Sequence, residues 1–228
     1  LFLTSTCALC DRASSGGICP SCCRQLEQSS LPEPLQNLSS PLPVLAWGQY
    51  EGSLRQALAL LKYSRKPALA QALGIHLGRS WQQHSSAMLR SRRPNFSPGA
   101  QPVVVPIPLH PDRQQQRGFN QAELLARGFC RFSGLSLAAD GLVRVRATQA
   151  QHGLGAQARQ RNLAGAFALG PAFQTARPTG PVLLLDDIYT TGATAQAAAA
   201  ALRRHGIAVV GMGAVARAMP SGGSLRSL

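Results

Sequence analysis

The chain is short of acidic residues, of aromatic rings and of long apolar runs, and each shortage narrows what it can be. Nine Asp plus Glu stand against 23 Lys plus Arg, nearly all of the latter arginine, for a formal charge of +14 over 228 residues. That balance suits polyanionic partners: nucleic acid, an anionic lipid surface or phosphorylated small molecules. A coding bias toward arginine and alanine is the competing source of the same excess. Aromatic residues make up 5% of the chain and are sparse near its arginine-rich segments, whereas sequence-tolerant binding of single strands usually relies on stacking platforms. No apolar run approaches the roughly 20 residues of a membrane helix, so membrane insertion is not expected. The segment Leu1 to Cys7 lacks the basic flank and the length of a secretory signal, and a cytoplasmic location is expected. No Gly-Lys-Ser/Thr follows a strand, which excludes a P-loop.

What is present begins with cysteine. Four of the six cysteines form two knuckles, Cys7-x2-Cys10 and Cys19-x2-Cys22, with Cys23 adjacent and Gly16-Gly17 turning the chain between them. Paired knuckles of this spacing bring four thiolates to one tetrahedral zinc. A disulfide framework is the alternative, disfavoured in a reducing compartment, and Cys23 could replace Cys22 as ligand. Cys130 lies among apolar residues and reads as core. The Pro- and Ser-rich stretch from Leu31 to Pro43 reads as a linker, giving a small unit over 1–43 and a main domain over 44–228.

In the main domain, Val44–Tyr50 has strand character, and Leu54, Leu58 and Leu61 mark one face of a helix closed by Lys62-Tyr63. A second helix is expected from Pro67 to about Gln83 and a surface loop from Arg90 to Gln101. Val103-Val104-Val105 is a strand whose exit, Pro106-Ile107-Pro108, is rigid. Arg113 and Arg117 follow on the loop before a helix capped by Asn120, with Leu124, Leu125 and Phe129 as its buried face. Two guanidinium groups near a strand end suit a pyrophosphate, being forks of donors that keep their charge. From Arg144 to Arg177 the chain has no acidic residue, and Arg159 and Arg161 read as part of a flexible loop able to fold over a ligand.

The densest stretch is Val182-Leu-Leu-Leu-Asp186-Asp187-Ile188-Tyr189-Thr190-Thr191-Gly192-Ala193-Thr194. Its continuous apolar start suits a parallel strand buried on both faces, and the Ala-rich run from Thr194 to Arg204 suits a helix. Gly206 would close that helix, a last strand would follow from Ile207 to Val215, and the tail after Met219 reads as disordered. A strand feeding a Thr/Gly turn into a helix aims unpaired N–H groups and a positive dipole end at one spot, as a phosphate requires. The acidic pair beside it supplies acceptors for sugar hydroxyls. A plain strand–turn–helix with Thr as N-cap is the alternative.

The stretch resembles the phosphoribosyl pyrophosphate (PRPP) motif of type I phosphoribosyltransferases. That resemblance implies that Asp186 and Asp187, the catalytic pair, hold the ribose diol, and that Ile188 to Thr194 wrap the 5-phosphate. The co-linear order of parts (the cysteine knuckles, Leu-Lys-Tyr, Val-Pro-Ile-Pro, Arg-Gly-Phe-Asn-Gln, Ala166-Phe167 and the Asp-Asp motif) resembles the ComF family over nearly the whole chain. Ser64-Arg65-Lys66 departs from that family's glycine-containing turn. The resemblance implies an α/β fold, a parallel sheet flanked by helices as in type I phosphoribosyltransferases, behind an N-terminal zinc ribbon. It also implies Mg2+ bound with PRPP, and a link to DNA uptake in natural transformation. The other function it leaves open is a non-catalytic accessory that handles single-stranded DNA or a helicase partner. Oligomeric state and ribosyl acceptor are not legible.

Overall fold

The computed structural model describes residues 6–64, 66, 68–91, 99–146, 163 and 165–218. Pro67, Arg159, Arg161, most of the loop expected at 90–101 and the tail after Met219 lie outside them. A six-stranded sheet has the order β1-β2-β8-β7-β3-β4, from β1 (Leu35–Gln36), β2 (Val44–Gln49), β3 (Val103–Pro106), β4 (Ser136–Leu137), β7 (Val182–Tyr189) and β8 (Val209–Arg217). Only β1 runs antiparallel to its neighbour. It lies inside the stretch read as a linker, where Leu35 and Gln36 pair with Leu45 and Val44. Val182 to Leu185 are fully buried, as a central parallel strand covered on both faces must be.

Two cores cover the sheet. One holds α2 (Gly52–Tyr63), α3 (Ala68–Arg90) and α5 (Gln121–Ser133), through Leu54, Leu58, Leu61, Leu73, Leu77, Leu125 and Phe129. The same core takes in Cys7, Ile18, Cys19 and Cys22 of the knuckle, and Leu26 of the short helix α1 (Pro20–Glu27) that follows it. The other core holds α7 (Ala193–Arg204), through Ala198, Ala199 and Leu202, and a two-stranded antiparallel sheet of β5 (Leu142–Arg144) and β6 (Phe167–Leu169) followed by α6 (Pro171–Thr175).

Two expectations are corrected. The second helix runs on to Arg90, past the expected stop near Gln83, because its buried stripe continues through Met88. Arg113 and Arg117 are on a helix, α4 (Pro111–Arg117), and not on a loop. Pro111 in its first turn, the His110 side chain accepting from the Asp112 N–H, and Gly118 at φ +82 start and stop it locally.

The chain leaves β3 for β4 through α5 and leaves β7 for β8 through α7, which lie against opposite faces. Adjacent strands whose connections part in this way open a crevice at their carboxyl ends. The exits of β3 and β7 are therefore side by side, and the Ile107 N–H still reaches the Leu185 carbonyl at 2.8 Å.

Candidate functional site

Strand β7 runs through the acidic pair to Tyr189, so Ile188 and Tyr189, expected in the loop, are strand residues paired with Ala216 and Arg217 of β8. Successive side chains on a strand leave on opposite faces, although the carboxyl groups of Asp186 and Asp187 still interact directly at this strand end. Asp186 lines an open hollow with Ile188, Tyr189, Thr190, Gly192, Ala193, Thr194, Ala195 and Met212. Asp187 turns toward α2 instead. Thr191 is exposed and outside that lining.

The hollow ends on the N-terminus of α7. Gly192, its N-cap, sits at φ +77 and supplies no side-chain cap, so the first-turn N–H groups face outward with the positive end of the helix dipole. Glycine is required there twice over, by the left-handed backbone and because a Cβ would collide with the Tyr189 hydroxyl. This is the chemistry of an anion cradle, with a carboxyl group one strand-width away.

Burial, then the neighbouring Asp187, raise the pKa of Asp186 well above the usual carboxylate range. In the unfolded chain its carboxyl ionises freely near pH 4; in the folded chain ionisation is opposed. The stabilising effect of the neutral form is thus complete below the unfolded pKa and is lost as pH rises through the folded one. Asp186→Asn, neutral at every pH, should melt with the parent near pH 4 and above it at pH 7–8, a gap measurable by thermal melts across pH.

Asp187 is 5% exposed. Its Oδ1 accepts the Ile188 N–H at 3.0 Å, while its Oδ2 forms an ion pair with Lys62 Nζ from the end of α2. The next residue, Tyr63, lies under the Arg117 guanidinium, 5.7 Å from the ring centroid, and Arg117 Nη1 donates to Gln121 Oε1. Arg117 is therefore engaged within the protein, whereas Arg113 is exposed on α4. Arg144 on β5, 5.6 Å from the Phe167 ring centroid, senses the same region: burial and then Arg113 lower its pKa, and Asp186 opposes them. Asn120 is 7% exposed; its side chain accepts from the Ala122 N–H and donates to the Ile107 carbonyl at 3.1 Å, so the α5 cap also clamps the β3 exit. Sequence reasoning gave Lys62 and Tyr63 no role beyond closing a helix. Their partners are far along the chain, and only the pairing of a basic and an aromatic residue at a helix end hinted at them.

At the N-terminus the Sγ atoms of Cys7, Cys10, Cys19 and Cys22 all lie within 4.8 Å of one another. Four sulfurs at about 2.3 Å from a tetrahedral zinc would be about 3.8 Å apart, so the group fits a structural metal. The Cys19 N–H donates to Cys7 Sγ at 3.2 Å and Arg12 Nε donates to Cys10 Sγ at 3.3 Å. The Arg12 contact brings the Cys10 thiol down to about 6, and burial pushes Cys22 up to about 12, an asymmetry that a metal would override. Cys23 stands outside the group, with its thiol toward the Ile18 carbonyl at 3.9 Å; of the two candidates for fourth ligand, the geometry selects Cys22. Cys130 is packed against the first core, and its thiol is pushed up to about 12 by burial, which makes it a poor nucleophile.

No helix among the described residues is long and apolar enough to cross a membrane. No family model matches the chain. Among curated proteins it is 32% identical over 209 residues to DNA utilization protein YhgH of Salmonella typhi, covering 90% of this chain and 86% of that protein. The protein of the same name from Escherichia coli K12 is 32% identical over 211 residues, with the same coverage. Competence protein F of Haemophilus influenzae is 36% identical over 116 residues, 51% of this chain and 50% of that protein.

Proposed function

The chain belongs to the ComF family, and from that membership we propose that it binds PRPP and acts as a phosphoribosyltransferase in the service of DNA uptake. The observation that carries this reading is the hollow between Asp186 and the uncapped N-terminus of α7. A phosphate at the helix end satisfies the free N–H groups, Thr190 and Thr194 add hydroxyl donors, and Asp186 accepts from a sugar hydroxyl. Arg113 is the exposed guanidinium that would meet a pyrophosphate, with Arg144 near enough to feel both Arg113 and Asp186; Arg117 would serve by holding Tyr63. Mg2+ would come with PRPP to the carboxyl side of the hollow, faced by Asp186, and would supply charge neutralisation for the departing pyrophosphate. The chain's own part is to position the sugar and stabilise the departing pyrophosphate. The four-cysteine group is assigned to structural zinc.

The helix end can be tested without disturbing the fold. Thr194→Glu places a carboxylate in the first turn of α7, where it complements the helix dipole by about 0.3–1 kcal/mol but occupies the place of the phosphate. Its melting temperature should equal or slightly exceed that of the parent, while the rise in melting temperature that Mg·PRPP gives the parent should disappear. A variant that is stabilised by Mg·PRPP as the parent is would refute the placement.

A further inference from the structure

The mechanism so far leaves one buried charge pair without a task. Lys62 Nζ reaches from the last turn of α2 to Asp187 Oδ2, with side-chain exposures of 19% and 7%. Lys62 is the sole cation paired with either member of the acidic pair among the described residues. A charge pair this deep contributes little net stability, because desolvation offsets most of the attraction; removing one partner, in contrast, leaves the other buried and uncompensated. What such a pair fixes is geometry and charge state.

Here it fixes them at the ligand site. With Oδ1 committed to the Ile188 N–H and Oδ2 to Lys62, the Asp187 carboxylate is pinned in one rotamer; Oδ2 is fully buried, and Oδ1 keeps a second lone pair for a hydroxyl. Tyr63, one residue on, holds Arg117, so the end of α2 ties the motif strand to α4.

We propose that Lys62 is a positioning residue of the phosphoribosyl site: its ammonium holds Asp187 in place as a charged acceptor for a sugar hydroxyl. The proposal rests on the PRPP reading and deepens it. The neighbouring charged groups are Lys62 from α2, Asp186 on the same strand, Arg117 at the end of α4 and Arg217 opposite Tyr189 on β8, while α5 begins with the neutral Gln121. Without Lys62, the buried Asp187 sits beside Asp186 with no paired cation and without the contact that fixes its Oδ2.

The test is calorimetric titration of Mg·PRPP into the parent, Lys62→Met and Lys62→Arg. Lys62→Met should lose at least about tenfold in affinity, equal to about 1.4 kcal/mol. Lys62→Arg should restore most of the affinity. If Lys62→Met does not fold, Lys62→Gln, which keeps a hydrogen-bond donor and loses the charge, carries the same expectation. Affinity of the uncharged variant equal to the parent would overturn the proposal. So would a loss that arginine does not repair, since that is the mark of a structural role. A parent that binds no PRPP would instead overturn the phosphoribosyl reading itself, and this role with it.

Discussion

Gly74→Val should cost about 3 kcal/mol of stability, the upper end of what overpacking a core costs, and lower the melting temperature by roughly 10 °C. Among the described residues, helices α3 and α5 pack more extensively than any other pair of helices, and they do so backbone against backbone. A Cβ at Gly74 would strike the Leu125 carbonyl and lie 2.7 Å from the Phe129 nitrogen; one at Gly128 would lie 2.9 Å from the Gln71 carbonyl oxygen. None of these atoms is the end of a flexible side chain, so the helices must separate. Separation would also open the contact of Trp81 with Phe129, now edge to face at 6.1 Å, and the burial of Leu73, Leu77 and Leu125, all at 0% exposure. Denaturant unfolding of the variant beside the parent measures the loss. A change under about 1 kcal/mol would mean that the packing is looser than described.

The second large effect concerns the cysteines. Cys22→Ser should lose the bound metal, about one zinc per chain in the parent, whereas Cys23→Ser should keep it; metal analysis after thiol modification reads both. The loss reaches beyond the knuckle. Cys7, Ile18, Cys19, Cys22 and Leu26 share one core with Leu58, Leu61 and Leu69, and Lys66 pairs with Asp11 of the knuckle at 2.9 Å. Structural zinc in small knuckles carries about 10–16 kcal/mol of apparent folding free energy, part of which here supports α2. Cys22→Ser should therefore melt well below the parent, and Cys23→Ser within a degree or two of it. Equal zinc content in the two variants would contradict the four-ligand assignment.

What the sequence made legible was local. The apolar run into Asp186, the Thr/Gly turn and the Ala-rich helix are consecutive, and their chemistry is set by neighbours a few residues away; the Asn120 cap and the spacing of the four cysteines are of the same kind. Helix α4 is also written locally, in Pro111, Asp112 and Gly118. What could not be read depends on distant pairings. That Asp186 lines the hollow while Asp187 reaches Lys62 follows from strand period only once β7 is known to continue to Tyr189, and its pairing with β8 decides that. Lys62 and Asp187 meet across the sheet, and nothing near either residue announces the other. The engagement of Arg117 with Tyr63 and Gln121, which leaves Arg113 as the exposed guanidinium of α4, is a tertiary fact of the same sort.

The hollow between Asp186 and the N-terminus of α7 is the expected seat of a phosphorylated ribose. Calorimetric titration of PRPP into the parent, with and without Mg2+, and into Asp187→Asn and Thr194→Glu decides it. The parent should give Mg-dependent, one-to-one binding that either substitution abolishes. No heat from the parent under any condition, or binding that both variants retain, would contradict it.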